Sequence, residues 1–498
     1  MEYTSTRNNK LSVSSSQAII TGLSKDGGLF VPKEIPQISL DVIKEMTGMD
    51  YIGRAKKVLS MYLTDFTEEE IDYCVNGAYG NGHFDCGEVA PVKNIDDSMN
   101  ILELWHGPTC AFKDMALQIL PYLLTISAKK NLNGKTVVIL VATSGDTGKA
   151  ALEGFKDVPN TKIIVFYPSD GVSPMQKFQM VTQEGENVGV CAIKGNFDDA
   201  QTGVKKIFSD AVMAQKLEGA NMMFSSANSI NWGRLVPQIV YYFSAYCDMV
   251  NAGRLKLGDK INFVVPTGNF GNILAAYYAK HMGLPVNRLI CASNKNKVLT
   301  DFISTGVYDR NRDFYTTSSP SMDILISSNL ERLLYHIYGE DSDKVSALMN
   351  LLSANGKYTV SGDILDKIKS EFDCGYCGDE GTDEAIRDIF KSASYLCDTH
   401  TAVAVNVYES YRNFSGDRTP TVIDSTASPY KFCASVLGAI NGSPAAGDEF
   451  SMVDELFAET SSKIPAPIKA LKGKTPRFDK NICEKQDMPE VVLNMLGI

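Results

Sequence analysis

The chain lacks the marks of several large functional classes. No basic run and no RNA-binding motif interrupts it, and 59 Asp and Glu outnumber 48 Lys and Arg, for a formal net charge of −11. A nucleic-acid partner is disfavoured, because such surfaces carry clustered positive charge. No apolar run approaches the roughly 20 residues of a membrane-spanning helix. The opening, MEYTSTRNNK, is polar and has no apolar signal core. The cysteines number eleven and are scattered. An odd number cannot all pair, and the expectation is a reduced, cytoplasmic protein. Cys374 and Cys377 form a lone C-x-x-C without the second pair that a closed zinc site uses, so no metal is expected. Also absent are the G-x-S-x-G of serine hydrolases and the H-E-x-x-H of zinc proteases. Neither a G-x-x-x-x-G-K-[ST] loop nor a full G-x-G-x-x-G is found, so a small phosphorylated ligand is a better expectation than a nucleotide.

What is present is a repeated alternation. With 498 residues, two or three domains are expected. From Lys135, TVVILVA reads as a buried parallel strand, TSGDTG as a turn and KAALEGFKD as an amphipathic helix. TKIIVFYP and VGVCAIKG repeat the strand pattern, each followed by a helical one, and KINFVVPTGNFGNILAAYYAKHMG resumes it later. Such alternation predicts an α/β fold with parallel sheets. NWGRLVPQIVYYFSAYCDMV reads as a buried helix, and residues 323–394 as a largely helical, charged insertion. No internal repeat and no low-complexity linker marks a border.

Two strand–turn–helix units carry glycines where an anion would sit. One turn holds Ser144, Gly145, Asp146, Thr147 and Gly148; the other holds Gly268, Asn269, Phe270, Gly271 and Asn272. Free amides and the positive end of the helix dipole make such turns anion sockets, and they lie at the carboxyl ends of strands, where ligands of open parallel sheets bind. Taken singly, each is read equally well as capping and turn chemistry. Lys113, in LWHGPTCAFKDMALQILPYLL, stands at the head of an apolar helix. Its neighbour Asp114 does not face it on a helix. Alone, the lysine is a snorkelling residue. Beside two anion sockets it is a candidate nucleophilic amine, because a poorly solvated lysine has a lowered pKa. Pyridoxal phosphate needs such a lysine, a phosphate socket and a partner for its pyridine nitrogen, and an amino-acid substrate needs a second socket.

The motifs WHGPTCAFKDMALQ, ATSGDTGKAA, SANSINWGRLVPQIVYYF, VPTGNFGNILA, SSPSMDILISSNLER, DTHTAVAV and STASPYKF, with YTSTRN and GLSKDGGLFVPKEIP near the start, occur in one order over nearly the whole chain. In this the sequence resembles the threonine synthases, pyridoxal-phosphate enzymes of the tryptophan-synthase-β fold group. The resemblance implies fold type II: two parallel-sheet α/β domains with an added N-terminal region and a helical insertion. The expected units are an N-terminal region, 1–100; a large cofactor domain, 101–135 and 235–498, with the insertion at about 323–394; and a small domain, 136–234.

It further implies that Lys113 binds the cofactor, that Gly268, Asn269, Phe270, Gly271 and Asn272 cradle its phosphate, and that Thr426 faces the pyridine nitrogen, with Ser425 and Asp424 as alternatives. Ser144, Gly145, Asp146 and Thr147 would lie near the substrate carboxylate, and Asn228, Ser229 and Arg234 would hold the substrate phosphate. In NSINWGR the spacing lets the amides of Asn228 and Asn231 converge with Arg234 on one anion. The implied reaction converts O-phospho-L-homoserine and water to L-threonine and phosphate. A serine or threonine dehydratase, or a phospholyase of the same fold group, is the alternative; the dehydratase would not need NSINWGR as a phosphate grip, and the phospholyase, which releases a keto acid, is separated by its product. The resemblance is to the unregulated microbial branch, often monomeric. Ser428 and Thr399 depart from the His and Pro that family members often carry there.

Overall fold

The computed structural model describes all residues except Asn81, Asn133, Ser144, Asp170 and Gly171, and leaves the side chains of Phe197 and Asp198 aside. Two mainly parallel sheets organise it. The smaller has the strand order Ile482–Glu484, Val188–Lys194, Thr161–Pro168, Thr136–Ala142, Met222–Ser225, parallel throughout. The larger runs Phe372–Tyr376, Val286–Ser293, Ile261–Pro266, Thr421–Ser425, Met99–Glu103, Val92–Asn94; only the last pairing is antiparallel. The central strands read as continuous apolar runs because both faces are covered by helices: all six residues of Ile261–Pro266 are buried.

The helix Trp232–Asn251 is buried from Trp232 through Cys247. Asn231 caps it through Gly233 N. The N-terminal region has a three-stranded antiparallel sheet, Asn8–Val13, Tyr3–Ser5 and Phe30–Pro32. Three capped helices follow it: Leu40–Thr47, Tyr51–Tyr62 and Glu68–Tyr79. Tyr3, Tyr62 and Tyr278 surround Trp232 with ring centroids 5.4–5.6 Å away. This aromatic cluster fastens the region to the rest of the chain.

Three expected borders differ. Residues 235–498 were expected in the large unit, yet Ile482–Glu484 adds an edge strand to the small sheet, and Met488, Val492 and Leu496 pack into its core with Val138, Leu140 and Ile164. A three-residue strand carries too little periodicity to be seen in sequence. The insertion, expected to be largely helical, also supplies the edge strand Phe372–Tyr376. The N-terminal region, expected to run to residue 100, gives Val92–Asn94 and the start of Met99–Glu103 to the large sheet.

Candidate active site

Five strand ends deliver the candidate residues. Gly145–Thr147 follow Thr136–Ala142; Gly268–Asn272 follow Ile261–Pro266; Thr426 follows Thr421–Ser425; Lys113 follows Met99–Glu103; and Asn228, Ser229 and Arg234 follow Met222–Ser225. Ser144 lies outside the described residues.

Lys113 precedes the short helix Asp114–Leu117. Its segment is laid beside the Thr426 strand end by Phe112 N donating to Thr426 O at 2.8 Å and Ser428 N to Cys110 O at 3.1 Å. Asp114 turns away from Lys113: its carboxylate accepts from Thr109 N and Oγ1, both at 2.8 Å, and so closes the Gly107–Thr109 turn. Lys113 Nζ donates to Ser321 Oγ at 3.3 Å. Burial draws the Lys113 ammonium down to about 8; Asp146 opposes the shift, and the charges of Lys431 and Arg234 add to it.

Asp146 is not a free anion ligand. Its carboxylate meets Lys431 Nζ at 2.5 Å, Gln176 Nε2 at 2.9 Å and Ser321 Oγ at 3.3 Å. Burial alone would raise its pKa, but the charges of Lys431 and Lys113 hold it well below the usual carboxylate range. Through its side chain Asp146 therefore fixes cations and is not left to face an anion. Gly145 has φ 149°, in the region that favours glycine. A Cβ there would also meet the Gln176 amide at 2.5 Å.

The other turn leads into the helix Gly271–His281, whose start has no side-chain cap. Phe270 sits at φ 65°, a costly conformation for an aromatic residue and one that clusters at functional sites. A Cβ on Gly268 would lie 2.7 Å from Ser321 O. The turn is thus packed closely against the backbone at Ser321, and the helix start that follows it has no side-chain acceptor for its amides.

Arg234 is 4 % exposed. Its Nη1 donates to Ala227 O at 2.6 Å, while Nε has no partner among the described residues. Burial draws its pKa down to about 10, with no carboxylate opposing the shift. Asn231 does not join it: its amide donates to Ile19 O and Ser226 O, both at 2.9 Å, and its oxygen caps Gly233 N. The spacing that suggested convergence reflects a helix cap.

Of the three residues considered for the pyridine nitrogen, two are engaged. Ser425 Oγ accepts from Trp105 Nε1 at 3.0 Å and, because Thr401 gives its one hydroxyl hydrogen to Asp398, donates to Thr401 Oγ1 at 3.0 Å. Asp424 Oδ2 is 2.7 Å from Tyr242 Oη, which also lies 2.9 Å from Asn272 O. One phenol hydrogen cannot serve both acceptors, so the pair is satisfied when Asp424 is protonated, and burial raises its pKa to about 8. Thr426 Oγ1 has no protein hydrogen bond among the described residues. A raised carboxyl pKa stabilises the fold fully below the unfolded value and loses that contribution as pH rises through the folded value. The thermal midpoint of Asp424→Asn is accordingly expected to gain on the parent between pH 5 and pH 8; an unchanged gap would mean Asp424 is ionised in the fold.

Sequence reasoning assigned no role to several groups around Lys113. Ser321 bridges Lys113 and Asp146, and its amide donates to His400 Nε2 at 3.1 Å. Asp398, 2.6 Å from His400 Nδ1, orients that ring. SSPSMDILISSNLER and DTHTAVAV marked these segments, but nothing in either string says that they meet. The two departures are structural: Thr399 Oγ1 donates to Ser318 O at 2.7 Å, and Ser428 Oγ caps Tyr430 N at 3.3 Å.

Comparison with known proteins identifies the family. Residues 2–79 match the family model "Threonine synthase N terminus", and residues 101–423 match "Pyridoxal-phosphate dependent enzyme". A threonine synthase from Pseudomonas aeruginosa is 39% identical over 437 residues, covering 87% of this chain and 89% of that protein. Threonine synthase-like 1 from Pongo abelii is 41% identical over 435 residues, 85% of this chain; the chain spans only 58% of that relative's length. The crystal structure of pyridoxal-phosphate-bound threonine synthase from Brucella melitensis superposes with a TM-score of 0.88 at 36% identity, over 99% of both chains.

Proposed function

The chain belongs to the threonine synthase family of pyridoxal-phosphate-dependent enzymes, and on that premise we propose that it converts O-phospho-L-homoserine and water into L-threonine and inorganic phosphate. The observation that carries the reading is Arg234, a buried guanidinium with an unpartnered Nε and no carboxylate, beside a lysine whose amine is partly neutral near pH 8. A buried cation without a counter-charge is costly. A phosphate on the substrate supplies that charge and suits a planar fork of donors.

The residues present fit pyridoxal phosphate. The uncapped helix start at Gly271 suits its phosphate, Lys113 its attachment, and the Thr426 hydroxyl its ring nitrogen. When bound, the cofactor supplies an electron sink for negative charge developing on substrate carbon. Lys113 takes the proton from the substrate Cα and then one from Cβ, as general base, and returns protons at Cγ and Cα. Arg234, with the turn at Asn228 and Ser229, holds the phosphate while it leaves from Cγ. Water then adds at Cβ. Asp146, locked to Lys431, keeps a fixed charge near the amine. The backbone at Gly145–Thr147 faces the substrate carboxylate.

The deciding experiment is identification of the product after incubation with O-phospho-L-homoserine. Threonine supports the proposal; a keto acid would make the protein a phospholyase. Arg234→Leu is expected to keep the bound cofactor's spectrum and to lose roughly ten- to a hundredfold in kcat/KM, the worth of one charge-assisted contact. If kcat/KM and the affinity for inorganic phosphate both stay at parent values, the phosphate site lies elsewhere.

A further inference from the structure

Asn329 and Arg332, in SSNLER, stand beside the site without a role so far. Arg332 is fully buried. Its hydrogen bonds go to neutral oxygens: Nε to Phe30 O at 2.9 Å, Nη2 to Ile230 O at 2.6 Å, and Nη1 to Asn329 Oδ1. The Asn329 amide then donates to Ser229 O and to Asn269 O, both at 3.1 Å, and its backbone N donates to Asn269 O at 3.0 Å. One guanidinium and one carboxamide thus join three segments distant in sequence: the N-terminal sheet at Phe30, the turn before Arg234, and the turn at Gly268–Asn272. Glu331, between them in sequence, reaches back to the same sheet and takes Arg7 Nε and Nη2 at 2.9 and 2.8 Å and Thr6 Oγ1 at 2.6 Å.

A rigid fork with several donors can span three oxygens at once; a lysine ammonium on a flexible stem cannot hold that geometry. The charge is also informative. A tie among carbonyls needs only neutral donors, and a cation buried among neutral acceptors is costly. The charge of Glu331 offsets part of that cost, and anions at the two adjoining turns would offset more.

We propose that Asn329 and Arg332 are positioning residues that hold the two phosphate-binding turns at a fixed separation and brace both against the N-terminal sheet. The inference rests on the functional reading above, in that one turn takes the cofactor phosphate and the other the substrate phosphate. The chain then has a reason to carry its N-terminal region: Phe30 O and Arg7 anchor the residues that set the spacing.

The test uses the cofactor-loaded enzyme. Asn329→Ala removes the two amide donations and the acceptor for Arg332 Nη1, and leaves the main-chain bond to Asn269 O. Measured well below its thermal midpoint, where the fold is intact, it is expected to lower kcat at saturating O-phospho-L-homoserine and to weaken pyridoxal phosphate binding, each roughly tenfold or more. Asn329→Ser, which keeps one donor, should lose less. Parent values of kcat and of cofactor affinity in Asn329→Ala would overturn the proposal. So would equal losses in both variants accompanied by a lowered thermal midpoint, which would make the pair merely structural. If the parent does not turn over O-phospho-L-homoserine, the functional reading fails, and cofactor affinity in the variants still decides the role of the pair.

Discussion

Lys113→Ala is expected to abolish covalent attachment of pyridoxal phosphate and to lower kcat by a factor of roughly 10⁴ or more. A positioned acid–base group alone contributes about 10²–10⁴, and the attachment that orients the cofactor is lost with it. The rival amine is Lys431, and the geometry separates the two. Lys431 Nζ is held at 2.5 Å from Asp146 and 3.0 Å from Thr109 O; as the buried cation of an ion pair it has no free lone pair. Among the described residues the one hydrogen bond of Lys113 Nζ goes to the Ser321 hydroxyl, and burial draws its pKa to about 8. Two measurements follow. Borohydride reduction of the parent and peptide mapping should place the cofactor on Lys113, whereas a label on Lys431 or Lys177 would overturn the assignment. Cofactor uptake by the cofactor-free protein should quicken as pH rises through about 8, because the neutral amine is the nucleophile and the protonated form below that pH is not.

Gly268→Asp is expected to release the cofactor. A Cβ at this position would lie 2.7 Å from Ser321 O, a backbone atom that cannot swing aside. The carboxylate adds charge repulsion. Two like charges about 4 Å apart at an effective dielectric of about 20 cost about 4 kcal/mol, roughly a thousandfold in affinity. Gly268→Ala divides the two causes, since it brings the crowding without the charge and should weaken binding less. Retention of the cofactor through extensive dialysis by Gly268→Asp, equal to the parent, would show that this turn is not the phosphate socket.

Much of the fold and part of the site were legible in the sequence. The strand TVVILVA and the turn after it read directly because a parallel strand covered on both faces must be apolar along its length, and because the turn that ends it needs glycine. Gly145 at φ 149° and the close packing at Gly268 are the physical content of those letters. Lys113 stood out because an amine in an apolar helix head is expensive without a purpose. The Asn231 reading failed for an equally local reason: a helix cap and an anion ligand use the same side chain, and spacing does not separate them.

By itself, then, the sequence determined the alternating strands and helices, the two glycine turns and the lysine, because each depends on periodicity, backbone freedom or the cost of burying a charge within a few residues. Tertiary structure alone decided which groups meet. It paired Asp146 with Lys431 across 285 positions. It put Ser321 beside Lys113, set Asp424 against Tyr242, and tied Phe30, Ser229 and Asn269 together through Arg332 and Asn329. Such contacts arise from how two sheets and the N-terminal region pack around the helix Trp232–Asn251. Hydrogen bonds and ion pairs between distant segments leave no period in the chain.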